Sequence, residues 1–523
     1  MENTAFEPGL LSVLPPVIAI LLAIFTKQVY LSLFVGVIFG SLILSDFNLL
    51  HGFAYALEKH LVKAIADPFH GGIILFTLVI GGTIQLVISM GGAKALALKV
   101  IKLCHTVKAT QLAVFFTGLL VFFDDYSNSL IVGPTMRPVT DRMKISREKL
   151  AYLVDSTSAP IAGMALLSTW IGMELSLIEK SFQGTESVLS GLSAYEIFLK
   201  SIPYRFYDIF AIAFVIAVCV LGRDFGPMLK AEKRARAGQV SPDTEASTQD
   251  DEEEKIEKPK AINAVLPILT LVVFSLFGFW YTGGGAKQPD FSFASIRDVL
   301  SNADASLALL WGAIASSIVA IALAVSQKIM TVEKAFNSWL KGTQAILGTV
   351  LILILAWALG SLTKDLKTAE YLIEFLKNSA FPVERLPIIV FLVSCLVSFS
   401  TGSSWGTMTI MIPIVVPLVL GIEAGAVGEE VILAALASVL TGSIFGDHCS
   451  PISDTTILAS TATSCHHMEH VRTQVPYALL TAGITIVFGY LPVMIGLPVW
   501  IGLILGVVSC FVAMRVLGKK SVP

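Results

Sequence analysis

Long apolar runs separated by short polar ones make up most of the chain. They fall near residues 10–25, 28–45, 72–90, 150–173 and 203–222, and again near 263–281, 305–325, 343–362, 431–462, 475–492 and 495–515. Each approaches the roughly 20 residues that an α-helix needs to cross a bilayer. Two more apolar pieces, 111–135 and 387–420, are interrupted by polar clusters. The pattern predicts an all-α polytopic membrane protein with about 11 transmembrane helices, broken helices among them, plus two re-entrant hairpins.

The hairpins follow from charge. Lys94, Lys99, Lys102 and Lys108 precede the first interrupted piece, and Arg137, Arg142, Lys144, Arg147 and Lys149 follow it. Lys and Arg concentrate on the cytoplasmic side, so the piece between them must dip in and return, with Asp124-Asp125-Tyr126-Ser127-Asn128 at its tip. The second piece carries Thr401-Gly402-Ser403-Ser404-Trp405-Gly406-Thr407 at its tip. Glu423, Glu429 and Glu430 follow it, with no Lys or Arg before Arg472, so it is expected to enter from outside. Lys364, Lys367, Lys377 and Arg385 pull the other way; Glu370 and Glu374 in the same stretch suit an interfacial amphipathic helix instead.

The two sets of spans repeat one another. Leu31-Ser32-Leu33…Gly36 recurs as Leu307-Ala308-Leu309…Gly312, and the same offset carries Gly72 to Gly348, Leu86 to Leu362 and Ser127 to Ser403. At a slightly larger offset Asp155-Ser156-Thr157-Ser158-Ala159 meets Asp447-His448-Cys449-Ser450-Pro451. Five crossings and a hairpin in the first unit leave the second inverted. The expected organisation is a first repeat over 1–222 with a broken helix near 155–160, and a flexible cytoplasmic linker over 223–262. An inverted second repeat over 263–492 follows, broken near 446–456, and then a last helix and cytoplasmic tail over 493–523. Inverted repeats interrupted at corresponding positions point to a secondary transporter.

Composition narrows the class. Residues are 55% hydrophobic and 14% charged, against roughly 25% charged in soluble domains. The net charge of −3 comes without a basic face or nucleic-acid reader motif, so no nucleic-acid partner is expected. Six scattered cysteines lack CxxC spacing and read as small buried hydrophobes. No phosphate-binding loop occurs, so no ATP and no other cofactor is expected. No nucleophile–base pair suggests an enzyme. Acidic residues without Lys or Arg ahead of 10–25 make that stretch a first crossing rather than a cleaved signal.

The chemistry sits in four polar clusters, 124–128, 155–160, 401–407 and 447–456. Ionisable groups inside apolar spans are costly unless solvated or coordinated, and hard cations take oxygen ligands. Asp124, Asp125, Asp155, Asp447 and Asp454 are therefore the candidate ion- or proton-binding acids. Ser127, Asn128, Ser403, Ser404, Thr407, Ser450, Ser453 and Thr455 are the candidate oxygen ligands. Helix capping is the competing role for the acids and hairpin packing for the others. A carboxylate whose affinity for protons is raised by burial and lowered by a bound cation holds either one. His448 is a candidate pH sensor. His466-His467-x-x-His470 beside Cys465 does not have zinc spacing, and no transition-metal site is expected.

Gly446-Asp-His-Cys-Ser-Pro-Ile-Ser-Asp-Thr-Thr-Ile-Leu458 resembles the strongest motif of the NhaC family of sodium/proton antiporters. Phe123-Asp-Asp-Tyr-Ser-Asn128, Met136-Arg-Pro-Val-Thr-Asp-Arg142 and Asp155-Ser-Thr-Ser-Ala-Pro160 resemble its first-half motifs. The family is similar in architecture to the wider ion-transporter superfamily, with its paired hairpins and frequent dimers. The resemblance implies Na+ and H+ as cargo, a bacterial inner-membrane location and a homodimer. Some relatives resemble malate/lactate or amino-acid exchangers; the sequence offers no obvious intramembrane Arg for an organic carboxylate, which favours ion exchange.

Overall fold

The computed structural model describes residues 7, 9–26, 28–92, 95, 104–122, 124–166, 168–182, 189, 191–239, 260–286, 299, 303–368, 370–371, 374–375, 382–422, 428–451 and 453–520. Among them regular structure is almost entirely helical. The one strand pairing ties Arg223–Asp224 antiparallel to Lys519–Lys520, so the start of the expected linker and the end of the chain lie together on one side.

The first half runs through α1 (Leu10–Thr26), α2 (Val29–Leu44), α3 (Pro68–Ser89), α4 (Val107–Leu120) and α5 (Asp125–Arg142). It continues with α6 (Arg147–Asp155), α7 (Thr169–Phe182), α8 (Ala194–Ser201) and α9 (Phe206–Leu221). Local chemistry sets these starts. Asp67 accepts from the amides of Phe69 (2.9 Å) and His70 (3.3 Å) with Pro68 at the first helical position, an arrangement that satisfies otherwise orphaned donors. Ser146 caps α6 through the Lys149 amide at 3.1 Å. The α8 and α9 segments bend by 49° near Arg205.

A helix within the expected linker, α10 (Gly226–Arg236), follows. It is docked rather than free: Glu232 accepts from the Ser146 amide at 2.8 Å, Arg234 pairs with Glu148, and Arg236 donates to the Met143 carbonyl. Alongside it, Lys149 and Asp224 form a buried ion pair that Tyr477 joins at 2.7 Å. The acidic run 250–254 lies outside the described residues.

The second half comprises α11 (Ile262–Thr282), α12 (Ala305–Ser326), α13 (Val332–Ala345), α14 (Leu347–Asp365), α15 (Leu386–Thr401) and α16 (Ser404–Ile422). Then come α17 (Glu429–Cys449), α18 (Asp454–Ala462), α19 (His467–Ile484) and α20 (Val499–Leu517). Among the described residues nine helices are long and apolar enough to cross a membrane, or ten with the bent pair as one span. The chain is a polytopic helical membrane protein. The apolar run 150–173 is interrupted after Asp155 and resumes as α7 at Thr169, and the run 431–462 is interrupted between Cys449 and Asp454. Residues 49–66, which include a π-helical turn, and the amphipathic α13 are helical too; their mixed composition hid them from a hydropathy reading.

The centre is α17, buried without interruption from Ile432 to Cys449. Small residues bring α15 against it. A Cβ on Gly442 would come within 2.7 Å of the Phe391 carbonyl, and one on Gly446 within 2.3 Å of the Phe399 amide. Backbone contact this close is how membrane helices gain packing where lipid supplies no hydrophobic drive.

Breaks inside apolar surroundings expose peptide groups that water cannot reach, and side chains satisfy them. Asn128 donates to the carbonyls of Gly118 (2.9 Å) and Thr157 (2.8 Å), fastening the end of α4 to the break after α6. Ser158 donates to the Asp125 carbonyl at 2.8 Å, Ser450 to Phe399 at 2.7 Å and Thr456 to Asp447 at 3.0 Å. Because buried carbonyls left unpaired cost about 1–3 kcal/mol each, Asn128→Ala is expected to lower the unfolding midpoint of the purified protein distinctly. Gly446→Val, which drives a branched side chain into the α15 backbone, is expected to cost about 1–3 kcal/mol or more. A melting temperature equal to wild type for Asn128→Ala means that the breaks do not need this side chain; for Gly446→Val it means that α15 and α17 can part without loss.

Candidate functional site

The helix pairs α4–α5 and α15–α16 and the end of α17 meet around a cavity of about 290 Å³. The break before α5 contributes Asp124, Asp125 and Tyr126; the break before α16 contributes Ser403, Ser404 and Trp405; α17 contributes Asp447. Helices α2, α3, α7, α13 and α14 contribute the rest of the wall. Two of the four polar clusters thus converge on one space, together with the leading acid of a third.

Asp447 lies in the last turn of α17 and is 1% exposed. Its Oδ2 accepts from the Ser404 hydroxyl at 3.2 Å, and its Oδ1 accepts from Ser453, whose hydroxyl in turn lies 2.9 Å from that of Thr455. The C-terminal end of a helix carries partial negative charge from its unpaired carbonyls. A carboxylate close to that partial negative charge favours a nearby cation or a proton. Asp124 accepts from Thr169 at 3.0 Å. Asp125 opens α5, where the positive helix end favours its charge. Asp124 and Asp125 are both buried.

Asp155 occupies the equivalent place, the last residue of α6, but does not line this cavity. Its Oδ2 meets His470 Nε2 at 3.1 Å and Gln474 Nε2 at 2.6 Å, and Gln474 also donates to the His448 carbonyl. The His448 ring is held by Ser156 (2.8 Å) and Tyr207 (2.8 Å). One α-helical break therefore carries a carboxylate matched by an imidazole and an amide; the other carries one matched by hydroxyls.

The remaining candidates divide. Ser404 and Ser453 reach the Asp447 carboxylate directly. Ser403 lines the cavity and accepts from the Gly406 amide at 3.1 Å, while Thr407 donates to the Ser403 carbonyl at 2.9 Å. Asn128 and Ser450 spend their donors on backbone carbonyls. The side chains of Asp454 and Ser127 lie outside the described residues. His467 bonds Ser460 and the Pro451 carbonyl and so serves the α18–α19 corner, whereas His470 faces Asp155.

Several lining residues carry no local signal in the sequence. Thr169 opens α7, well past the polar cluster at 155–160, and Tyr30, Ile84 and Ile346 reach the cavity only through the packing of distant helices. Arg205 and Glu174 form a fully buried pair, with Arg205 also donating to the Gly163 carbonyl. Arg205 is a fully buried arginine at the bend between α8 and α9, and it is not among the residues that line the cavity.

Several known proteins are similar to this chain. Residues 161–493 match the model of the Na+/H+ antiporter family. An uncharacterized protein of Haemophilus influenzae is 34% identical over 500 residues, covering 94% of this chain and 92% of that one. The malate-2H(+)/Na(+)-lactate antiporter of Bacillus subtilis is 30% identical over 159 residues, covering 29% of this chain and 31% of that one. The arginine/ornithine antiporter ArcD of Halobacterium salinarum is 28% identical over 198 residues, covering 37% and 38%. Among solved structures, the YdaH transporter of Alcanivorax borkumensis has a similar fold, with a TM-score of 0.57 at 14% identity over 86% of this chain and 90% of that one. With a family model matched across more than half of its length and a relative alike from end to end, the chain belongs to the Na+/H+ antiporter family.

Proposed function

We propose that this antiporter exchanges Na+ for H+ at one shared carboxylate site built on Asp447, with Asp124 and Asp125 facing it across the cavity, by alternating access. The observation that carries the reading is the position of Asp447: buried, in the last turn of a helix, and held by the Ser404 and Ser453 hydroxyls. When the carboxylate binds Na+, its proton leaves to the side then open, and the reverse step on the other side completes the cycle. The oxygen set of Asp447, Ser404 and Ser453 suits a hard monovalent cation. Asp155 fits this reading as a supporting acid, since His470 and Gln474 already occupy it. The family assignment and the basic residues around α5 and α6 support a bacterial inner-membrane protein with the α9–α10 junction and the C-terminus in the cytoplasm.

A second reading, coupled exchange of an organic substrate, takes support from the malate/lactate and arginine/ornithine relatives and from a cavity roomier than a bare ion requires.

Three outcomes are expected. Asp447→Asn abolishes Na+-dependent proton movement in everted membrane vesicles while the protein still inserts and purifies as a monodisperse species; normal exchange removes Asp447 from the mechanism. Ser404→Ala keeps exchange but raises the apparent KM for Na+ by roughly 2–10-fold, the loss of one neutral hydrogen bond to the site. Competition at one carboxylate makes the two ligands reciprocal, so each unit of acidification raises the apparent KM for Na+ by up to about tenfold once the protonated form dominates. A KM for Na+ that is flat with pH contradicts a shared site.

A further inference from the structure

We propose that the same cavity takes a small organic monocation, an ammonium head on an apolar body and without a carboxylate, in exchange for H+. The inference rests on the reading that Asp447 and the facing aspartates form the exchange site, and it names a substrate class for that site.

Size is the first observation. The cavity holds about 290 Å³, close to the lower end of the roughly 300–1,000 Å³ typical of small-molecule sites. A single water needs only roughly 10–15 Å³. A lone Na+ with its oxygen ligands leaves most of this volume unused.

The wall is the second. Away from the aspartates and the polar Gln85, Thr169, Ser403 and Ser404, the lining includes Ile84 and Ile88 of α3, Ile346 and Ile352 at the start of α14, Tyr30 of α2 and Trp405 of α16. These side chains come from four elements and present apolar and aromatic surface to the same space. Desolvated aliphatic and aromatic walls contribute nothing to holding a hard ion. They are what a hydrocarbon body requires, and aromatic faces such as those of Tyr30 and Trp405 attract an organic cation.

Charge is the third, and it selects among organic substrates. Asp124, Asp125 and Asp447 line the cavity, and among its described lining residues there is no Lys, Arg or His. A carboxylate-bearing substrate, whether a hydroxy acid or an amino acid, would find three acids and no basic partner in that lining. Helix N-termini are the other common carboxylate binders. Asp125 opens α5, and at the start of α16 the Gly406 amide donates to the Ser403 hydroxyl while the Ser404 hydroxyl donates to Asp447, so both helix starts already have partners within the protein. An ammonium group, with three donors and no acceptor, fits where Na+ fits; its apolar body lies along the isoleucines. The buried arginine that could pair an organic acid, Arg205, is held by Glu174 outside this lining.

The test uses three compounds of one skeleton: phenethylamine, phenylalanine and phenylacetate. Binding to the full-length protein in detergent is followed by isothermal titration calorimetry, with Na+-driven exchange measured in parallel on proteoliposomes. The expected result is saturable binding of phenethylamine that added Na+ displaces competitively, with no binding of phenylalanine or phenylacetate. Asp447→Asn is expected to weaken phenethylamine by about tenfold or more, the loss of a charge-assisted contact. Ile352→Trp, which fills the apolar side, is expected to weaken phenethylamine more than it changes the apparent KM for Na+. Wild-type competition by Na+ decides the matter even if either variant fails to fold. Intact Na+-for-H+ exchange with no phenethylamine binding overturns the amine proposal and leaves the ion-exchange reading standing. Binding of phenylacetate or phenylalanine as tight as that of phenethylamine overturns it as well. Absence of both Na+-driven exchange and Na+ competition removes the exchange-site reading on which it rests.

Discussion

The structure depends on satisfying the peptide groups that its helix breaks release in a setting without water. A continuous helix would need no help in apolar surroundings, but it would offer no ligands either. In this chain each interruption is closed by a short-range hydroxyl or amide. Asn128 reaches Gly118 and Thr157, Ser158 reaches Asp125, Ser450 reaches Phe399, and Thr456 reaches Asp447. The Ser- and Thr-rich character of the polar clusters is therefore mainly a structural requirement. It holds the breaks open in fixed geometry, and that geometry aims Asp447 and the Asp124–Asp125 pair at common space.

That division explains how much the sequence could reveal. Apolar runs and polar interruptions located most of the long helices and the helix breaks near 121–124 and 402–403, because bilayer insertion acts on local composition. The paired clusters at corresponding offsets marked where ligands concentrate, and Asp124, Asp125 and Asp447 do line the cavity. Composition could not rank the individual side chains. Ser450 and Ser453 stand close together in one motif, yet one donates to a backbone carbonyl and the other to the Asp447 carboxylate. The choice is made by the direction in which the chain leaves α17, a tertiary fact. Asp155 and Asp447 align in sequence and both end helices, but their partners come from α19 in one case and from α16 and the break itself in the other. Helices at 49–66 and in α13 were hidden for a simpler reason: their polar faces dilute hydropathy.

Several buried charges elsewhere in the chain are paired within the protein, although Asp208 is buried with neither oxygen hydrogen-bonded. Arg205 meets Glu174, Lys149 meets Asp224 and Tyr477, and Asp155 meets His470 and Gln474. A buried pair gains little net stability over a well-packed apolar alternative, but removing one partner is costly. Such pairs suit positions whose charge must stay constant through a transport cycle. The docking of α10 against the α5–α6 turn through Glu148 and Ser146 belongs with them, since it fixes the end of the helix that carries Asp155.

The cavity lining differs in composition: its described residues include three aspartates and no Lys, Arg or His. The Ser404 and Ser453 hydroxyls orient the Asp447 carboxylate, and the Thr169 hydroxyl orients that of Asp124. If a lysine or arginine completed the lining, the site would be electrically content when empty and would have no reason to prefer a loaded state. On the proposed exchange mechanism, a lining whose described residues include no such cation makes the empty ionised site the unfavourable one, and each conformational passage is easiest when a cation or a proton is aboard. Obligatory exchange would follow from that proposal: a carrier that crosses readily with either ligand, and poorly with neither, couples the two gradients without leaking. The hydrogen-bond donors that close the breaks and the acid-only charge of the cavity wall are thus two halves of one design, the first making the site rigid enough to select and the second making it empty at a cost.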